Sequence, residues 1–479
     1  MTYIGLDLGT SSLKAILIDG DQTVLAEHAV SLTVARPHSG WSEQDPQQWF
    51  DATKAAITAL GTQTDLSGVK AIGMSGHMHG ATLIDAADQV LRPCILWNDT
   101  RSAAEAATMD ADPQFRALTG NIVFPGFTAP KVAWVAKHEP DIFAKIAKVL
   151  LPKDFLRLRL TGDYVAEMSD SAGTSWLDVD KRDWSDDLLA ATGLTRAQMP
   201  RLIEGSEASG TVHSALASEL GLPQGVIVAG GGGDNAASAI GAGVVNKGDA
   251  FVSLGTSGVL FAASDAYQPD AASAVHTFCH AVPNTWHQMG VILAATDALQ
   301  WLSKLTGQSA ADLTADLGDL QAPSRTLFLP YLGGERTPHN NANMRGQFLH
   351  LDHTTDAKQA TRAVLEGVAF AFADCQMALQ STGTEITSAL AMGGGAKSNY
   401  WLQVIATTLG IPLHLPQAGD FGAALGAARL GIMAATAASV EIATMPPIAK
   451  TIEPNAAYTA EFAQAHDRYR TAYTILKDL

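Results

Sequence analysis

Leu8-Gly9-Thr10-Ser11-Ser12 decides the fold, because Leu254-Gly255-Thr256-Ser257-Gly258 repeats it about half a chain later. A short strand pattern precedes each copy, and an apolar run follows each one, Leu13–Ile18 and then Val259–Ala263. A near-copy in matching context at half-length spacing predicts two domains built on the same core. Around the first copy, Tyr3–Asp7, Leu13–Ile18 and Thr23–Glu27 read as three strands of a meander. Asp19-Gly20 supplies the second turn. A helix then begins near Asp45. Asp45 suits the cap, Pro46 suits the first helical position, and Gln48, three residues past the cap, suits a capping box. Trp49, Ala52, Ala56 and Ile57 recur behind it at helical spacing.

Two more strands end in glycine-bearing loops. Val69–Met74 leads into Ser75-Gly76-His77-Met78-His79-Gly80, and Gly225–Ala229 leads into Gly230-Gly231-Gly232-Gly233-Asp234-Asn235. In the second half, Ser388–Met392 runs into Gly393-Gly394-Gly395-Ala396-Lys397-Ser398-Asn399. Lys358–Met377 reads as a long buried helix and Glu461–Leu479 as an exposed terminal one. The domain boundary is expected near Gly241–Lys247, dividing the chain into residues 1–243 and 244–479. The predicted fold class is α/β.

Glycine loops at residues 8–12, 230–234, 254–258 and 393–398 expose backbone N–H groups without Cβ obstruction, which suits phosphate oxygens. The standard nucleotide fingerprints fail. Ala396 replaces the glycine a P-loop needs before its lysine, and no GxGxxG follows the first strand. Asp7 precedes the Gly9-Thr10 loop. A carboxylate beside phosphates needs a divalent cation between them, so Asp7 reads as a Mg²⁺-side residue. Asp234 stands where a strand passes into a helix. It is placed either to accept a proton from an attacking hydroxyl or to cap the helix starting at Asn235 or Ala236. His77 and His79 lack the further ligands a metal site requires and read as pocket-lining or ordinary loop residues. Trp97-Asn98-Asp99-Thr100-Arg101 suits a hydroxyl-rich ligand, or a capped helix start at Asp99. Tyr331, Glu335, Arg336 and His339 stay open between an inter-domain loop and plain surface.

The 479 residues carry 31 basic and 48 acidic side chains, a net charge of −17. That disfavours affinity through broad phosphate neutralisation, so no nucleic-acid partner is expected. At 47% hydrophobic and 16% charged, the chain can build large cores. Cys94, Cys279 and Cys375 form no paired motif, and the start has no secretory pattern. Every apolar stretch is interrupted before the length of a membrane span. A cytoplasmic protein is expected, with no membrane partner.

These motifs together resemble the FGGY family of carbohydrate kinases nearly end to end. The likeness runs through Ile4–Ser11, Arg36-Pro37-His38, Trp41–Pro46, Met78–Thr82, Leu96–Asp99, Pro125–Lys131, Leu151–Asp154 and Gly232–Ala237. It continues through Ser253–Gly258, Gly334–His339 and Gly393–Gly395. Gly126–Trp134 is similar to the family's signature segment. The resemblance implies two ribonuclease-H-like domains of the actin-like ATPase type around a cleft. It implies transfer of the ATP γ-phosphate to the terminal hydroxyl of D-xylulose, giving D-xylulose 5-phosphate; ribulose, glycerol and gluconate are the alternative acceptors. It implies Asp234 as general base and Asp7 as holding Mg²⁺ beside the Gly9-Thr10 loop. Met78 and His79 would contact the sugar, with Asn98 and Asp99 nearby. Gly255, Thr256, Gly394, Gly395 and Asn399 would lie on the ATP side. A homodimer fits the family. One departure is Gly76-His77-Met78-His79, where these kinases often have glutamine at the second position. A nucleotide-dependent binding protein on the same scaffold is the rival of another class; it would not need Asp234 as a base.

Overall fold

The computed structural model describes residues 1–417 and 422–478. Its first sheet starts with the expected meander, β1 (Thr2–Leu8), β2 (Ser12–Asp19) and β3 (Val24–Ser31), paired antiparallel in sequence. The Asp19 carboxylate closes the second turn by accepting from the amides of Asp21 and Thr23. Helix α1 (Pro46–Gln63) follows, with Asp45 accepting from the Gln47 amide and Pro46 in the first turn. Gln48 does not complete a capping box. Its amide group bonds the Thr33 backbone instead, because the chain leaving β3 lies within reach and offers both a donor and an acceptor.

Strand β4 (Val69–Gly76) runs parallel to β1. With β5 (Ala208–Thr211) and β6 (Ile227–Ala229) the order is β5-β6-β4-β1-β2-β3, and Gly232–Gly233 pairs with the end of β4. Helix α2 (Asp234–Ala242) follows directly.

The second sheet repeats this plan. Strands β7 (Ala250–Leu254) and β8 (Gly258–Ser264) form a hairpin around the second copy of the repeated loop. Then come β9 (His276–Cys279), β10 (Trp286–Ile292), helix α3 (Thr296–Thr306) and the long helix α4 (Ala357–Ser381). Strand β11 (Ala389–Met392) lies parallel to β7, as β4 does to β1. Helix α5 (Asn399–Leu409), β12 (Leu413–Pro416), helix α6 (Ala423–Thr436), β13 (Ile448–Ile452) and helix α7 (Thr459–Leu476) complete the chain. The sheet order is β9-β10-β8-β7-β11-β12-β13. In both sheets the two parallel neighbours end in glycine loops at the same edge, where ligands of α/β sheets gather.

Helix α6 comes from the second half of the chain but seats on the first sheet. Gly5 and Gly73 let it approach closely: a Cβ on Gly73 would stand 1.7 Å from the Ala427 carbonyl oxygen, and one on Gly5 1.9 Å from that of Ala424. Ala424, Leu425, Ala428 and Ile432 of α6 share a core with Tyr3, Ile16, Ile18 and Ala71. Conversely, Ala239 and Ala242 of α2 share a core with Phe251, Phe261 and Ala263 of the second sheet. The two helices also pack on each other, with Gly426 against the Ala237 carbonyl. Helix α7 buries a stripe of Phe462, Ala465 and Tyr469 against the second lobe, half-buries Ala472, Tyr473 and Leu476 beside it, and exposes its outer face, so the expected exposed helix is amphipathic. Leu479 lies outside the described residues.

Candidate active site

The first-lobe side is built at the carboxyl ends of β1 and β4. Asp7 and Gly232 both stand opposite Ser75 of β4, one on each side, which sets their strands about 10 Å apart. Gly231 adopts a left-handed backbone, and a Cβ there would meet the Met74 carbonyl at 2.0 Å. Only glycine threads this passage. It delivers Asp234 to the first position of α2, partly buried. Oδ1 of Asp234 accepts from the backbone and side-chain nitrogens of Asn235 at 2.7 and 3.0 Å. The helix cap is Gly233, so Asp234 does not serve as the N-cap. Its second oxygen, Oδ2, makes no hydrogen bond among the described residues. Burial raises its pKa above the ordinary carboxylate value, against the lowering effect of the two Asn235 bonds.

The Gly9 amide bonds the carbonyls of Asp7 and Ser12, closing the first phosphate-type loop tightly. Thr10 is held from two sides: its hydroxyl accepts from the Trp97 indole at 3.0 Å and its carbonyl from the Gln44 side chain at 2.7 Å. Trp97 is therefore an exposed wall beside this loop.

Met78 lies under the Asp234 loop, where a Cβ on Gly233 would meet its side chain at 2.9 Å. His79 takes a left-handed backbone, stacks on Phe127 at 4.6 Å, and bonds the Gly173 carbonyl through Nδ1 at 2.7 Å. A carbonyl only accepts, so Nδ1 carries the proton and Nε2 keeps a lone pair for a donor. Burial, with the nearby Lys131 cation, lowers this imidazole to a pKa of about 3, so it is neutral at pH 7. Lys131, itself fully buried, donates to the His79 carbonyl at 2.9 Å and is lowered by burial to about 7. His77 turns the other way, edge-on to Trp49 in the core, and neither ring nitrogen has a hydrogen-bond partner among the described residues.

Asn98 and Asp99 part company. The Asn98 side-chain oxygen Oδ1 is buried without a hydrogen-bond partner among the described residues, which leaves it able to accept. The Asp99 carboxylate accepts from the Ser42 amide at 2.6 Å and from Arg101 at 2.9 and 2.7 Å. Arg101 continues to Glu43, which pairs with Arg92. Asp99 thus belongs to a buried ion network, with both carboxylate oxygens engaged by Ser42 and Arg101.

On the second lobe the Gly255 carbonyl accepts from the amide and hydroxyl of Thr296, and the Thr256 carbonyl from the amides of Ala295 and Asp297. Gly393 is left-handed, and a Cβ there would meet the Leu254 carbonyl. Gly394, Gly395, Lys397 and Ser398 line a cavity of about 460 Å³ with Thr296, Gln300, Ala310 and Trp401. That volume lies in the range of small-molecule and cofactor pockets. Asn399 is exposed and accepts from Lys450 at 3.1 Å; it is not among the cavity's lining residues. Sequence reading missed Thr296, Gln300 and Trp401, because helix residues without a motif carry no local signal.

The open segment 331–339 also divides. Tyr331 is core, bonded to Tyr469. Glu335 accepts from the Leu293 and Arg336 amides and is raised to about 8, chiefly by burial. Arg336 lies over Phe124 at 4.3 Å and near His276 Nε2 at 3.4 Å, which brings the second lobe against the His79–Phe127 face. Among the described residues no group of three or more His, Cys, Asp or Glu side chains is placed to hold a metal.

Two family models match: the N-terminal domain of the FGGY family of carbohydrate kinases over residues 2–241, and its C-terminal domain over residues 250–435. The chain belongs to the FGGY family of carbohydrate kinases. This FGGY kinase is 49% identical to the xylulose kinase of Escherichia coli (strain K12), over 100% of this chain and 99% of that one. It is 35% identical to the xylulose kinase of Bacillus subtilis (strain 168), over 99% and 97%. Among solved structures it superposes on a "xyloylose kinase" from Brucella ovis with a TM-score of 0.98, at 60% identity and covering 99% of each chain. The xylulose kinase from Rhodospirillum rubrum gives a TM-score of 0.93 at 30% identity, again covering 99% of each chain. The two lobes of this FGGY kinase have the ribonuclease-H-like, actin-like ATPase fold that the family resemblance implied, and each carries one copy of the repeated loop. No helix among its described residues is long and apolar enough to cross a membrane.

Proposed function

We propose that this FGGY kinase phosphorylates the terminal hydroxyl of D-xylulose with MgATP, giving D-xylulose 5-phosphate and ADP. The names of its full-length relatives support the choice of sugar. The observation that carries the chemistry is the Asp234 carboxylate. It sits at the edge of the first sheet where the parallel strands end in glycine loops, on a helix packed between the lobes, with one oxygen tied to Asn235 and the other without a hydrogen bond among the described residues. The sugar lies against Met78 and His79. Asn98 Oδ1 and His79 Nε2 accept from its hydroxyls, and Asp234 takes the proton of the attacking one. As that oxygen bonds the γ-phosphorus, the bond to the β-phosphate oxygen breaks and ADP leaves. Catalysis here is mostly positioning and charge stabilisation.

The glycine loops at 254–258 and 393–398 and the adjoining cavity hold the nucleotide, with the Gly9-Thr10 loop facing its phosphates. Asp7 is the residue that would hold Mg²⁺. A single carboxylate beside a phosphate loop fits that ion, which keeps most of its waters and needs no all-protein cage. Bound there, Mg²⁺ would neutralise charge on the transferring phosphoryl group. Three buried free cysteines suit the reducing cytoplasm.

Asp234→Asn tests the mechanism. It is expected to lower kcat by about 100-fold or more, the range for a general base, while ATP still binds. In the unsubstituted enzyme kcat should fall with acidity above the ordinary carboxylate range, because burial raises the Asp234 pKa and the base must be ionised. A coupled ADP-release assay over xylulose, ribulose, glycerol and gluconate tests the acceptor. An Asn variant of near-normal activity would overturn the mechanism, and a preference for another acceptor would overturn the choice of sugar.

A further inference from the structure

We propose that Ser169 is a positioning residue for the reaction: its hydroxyl, oriented by Glu167, fixes the Gly233 amide and so fixes where Asp234 points. The inference rests on the reading of Asp234 as the base.

Glycines 230–233 carry no side chains of their own to hold them, so their path is set from outside. Ser169 Oγ accepts from the Gly233 amide at 3.0 Å. The same hydroxyl donates to Glu167 Oε2 at 2.8 Å, and that oxygen also accepts from the Ser169 amide at 2.7 Å. The proton of the hydroxyl is thereby committed to Glu167, which leaves its lone pairs facing Gly233. Gly233 is the cap of α2, and the next residue is Asp234. At the other end of the run, Arg157 donates to the Gly230 carbonyl and to Asp154 Oδ1, the latter at 2.5 Å.

Both anchors meet in one cluster. Lys153 Nζ lies 3.0 Å from Asp154, 3.2 Å from Glu167 and 2.9 Å from Asp170, and all four side chains are fully buried. Lys153 also underlies the sugar-side loop, since a Cβ on Gly76 would stand 3.0 Å from its Cβ. The cluster therefore braces the loop bearing Met78 and His79 and the loop bearing Asp234 against one rigid point. A group so held keeps its geometry without reorganisation, and a displacement of about 1 Å costs on the order of 100-fold in rate.

Ser169→Ala removes the anchor with little change of volume. In the full-length enzyme with xylulose and MgATP, kcat is expected to fall about tenfold or more, with the loss in kcat and not in either KM. The same substitution made in the Asp234→Asn background should leave the residual single-turnover rate unchanged within about twofold, because the residue it positions is already disabled. A Ser169→Ala enzyme with unchanged kcat would overturn the proposal, as would an equal loss in both backgrounds, which marks a structural role independent of Asp234. Near-normal activity of Asp234→Asn alone would instead remove the base itself.

Discussion

Asn98 and Asp99 are sequence neighbours in opposite surroundings. Asn98 Oδ1 is a buried acceptor without a hydrogen-bond partner among the described residues, so on the proposed reading its truncation costs a bond to the sugar and none within the protein. Asn98→Ala is expected to raise the xylulose KM about tenfold, in line with the 1–3 kcal/mol of a lost polar contact, with no loss of thermal stability. Asp99→Ala leaves Arg101 buried with one of its carboxylates gone. It should destabilise the fold by about 3–5 kcal/mol, read as a drop in denaturation midpoint, and affect the sugar site only through that loss.

Among the elements, glycine contacts decide how helices seat. Gly73 lies against the backbone of α6 with no room for a methyl group. Gly73→Ala should destabilise by about 1–3 kcal/mol or more through overpacking, measured by chemical denaturation. Gly394 has open space where its Cβ would go, at the edge of the cavity proposed to hold the nucleotide. Gly394→Ala should leave the midpoint unchanged and raise the ATP KM. Both residues look alike in the sequence, and the difference is whether another backbone or a ligand comes close.

For the molecule as a whole, several imidazoles are buried uncharged. His77 is lowered to about 3 and His280 to about 4, both chiefly by burial, from an ordinary 6.5. Burial likewise lowers His276 and His287 well below the ordinary imidazole value. The unfolded chain therefore binds protons that the folded one refuses. Their contribution is complete above pH 6.5 and is lost as pH falls from 6.5 toward 4. Stability should decline by about 1.4 kcal/mol per pH unit for each such imidazole, seen as net proton uptake on unfolding at pH 5. Replacing His77 by a neutral isostere should flatten that slope.

The sequence alone determined what depends on neighbours along the chain. The repeated loop, the meander turn at Asp19, the Asp45-Pro46 helix start and the glycine-ended strands were legible, because turn and cap chemistry act over a few residues. The family likeness chose the base over the cap for Asp234 and named the fold of the two domains that the repeat predicted. Only the tertiary structure decided which member of Asn98-Asp99 has its side-chain oxygens engaged, where α6 seats, that Gln48 prefers Thr33 to its own helix cap, and that the Ser169 hydroxyl meets the Gly233 amide. Each of those outcomes depends on a partner distant in the chain, whose arrival competes with the local bond, and no short-range pattern records which one wins.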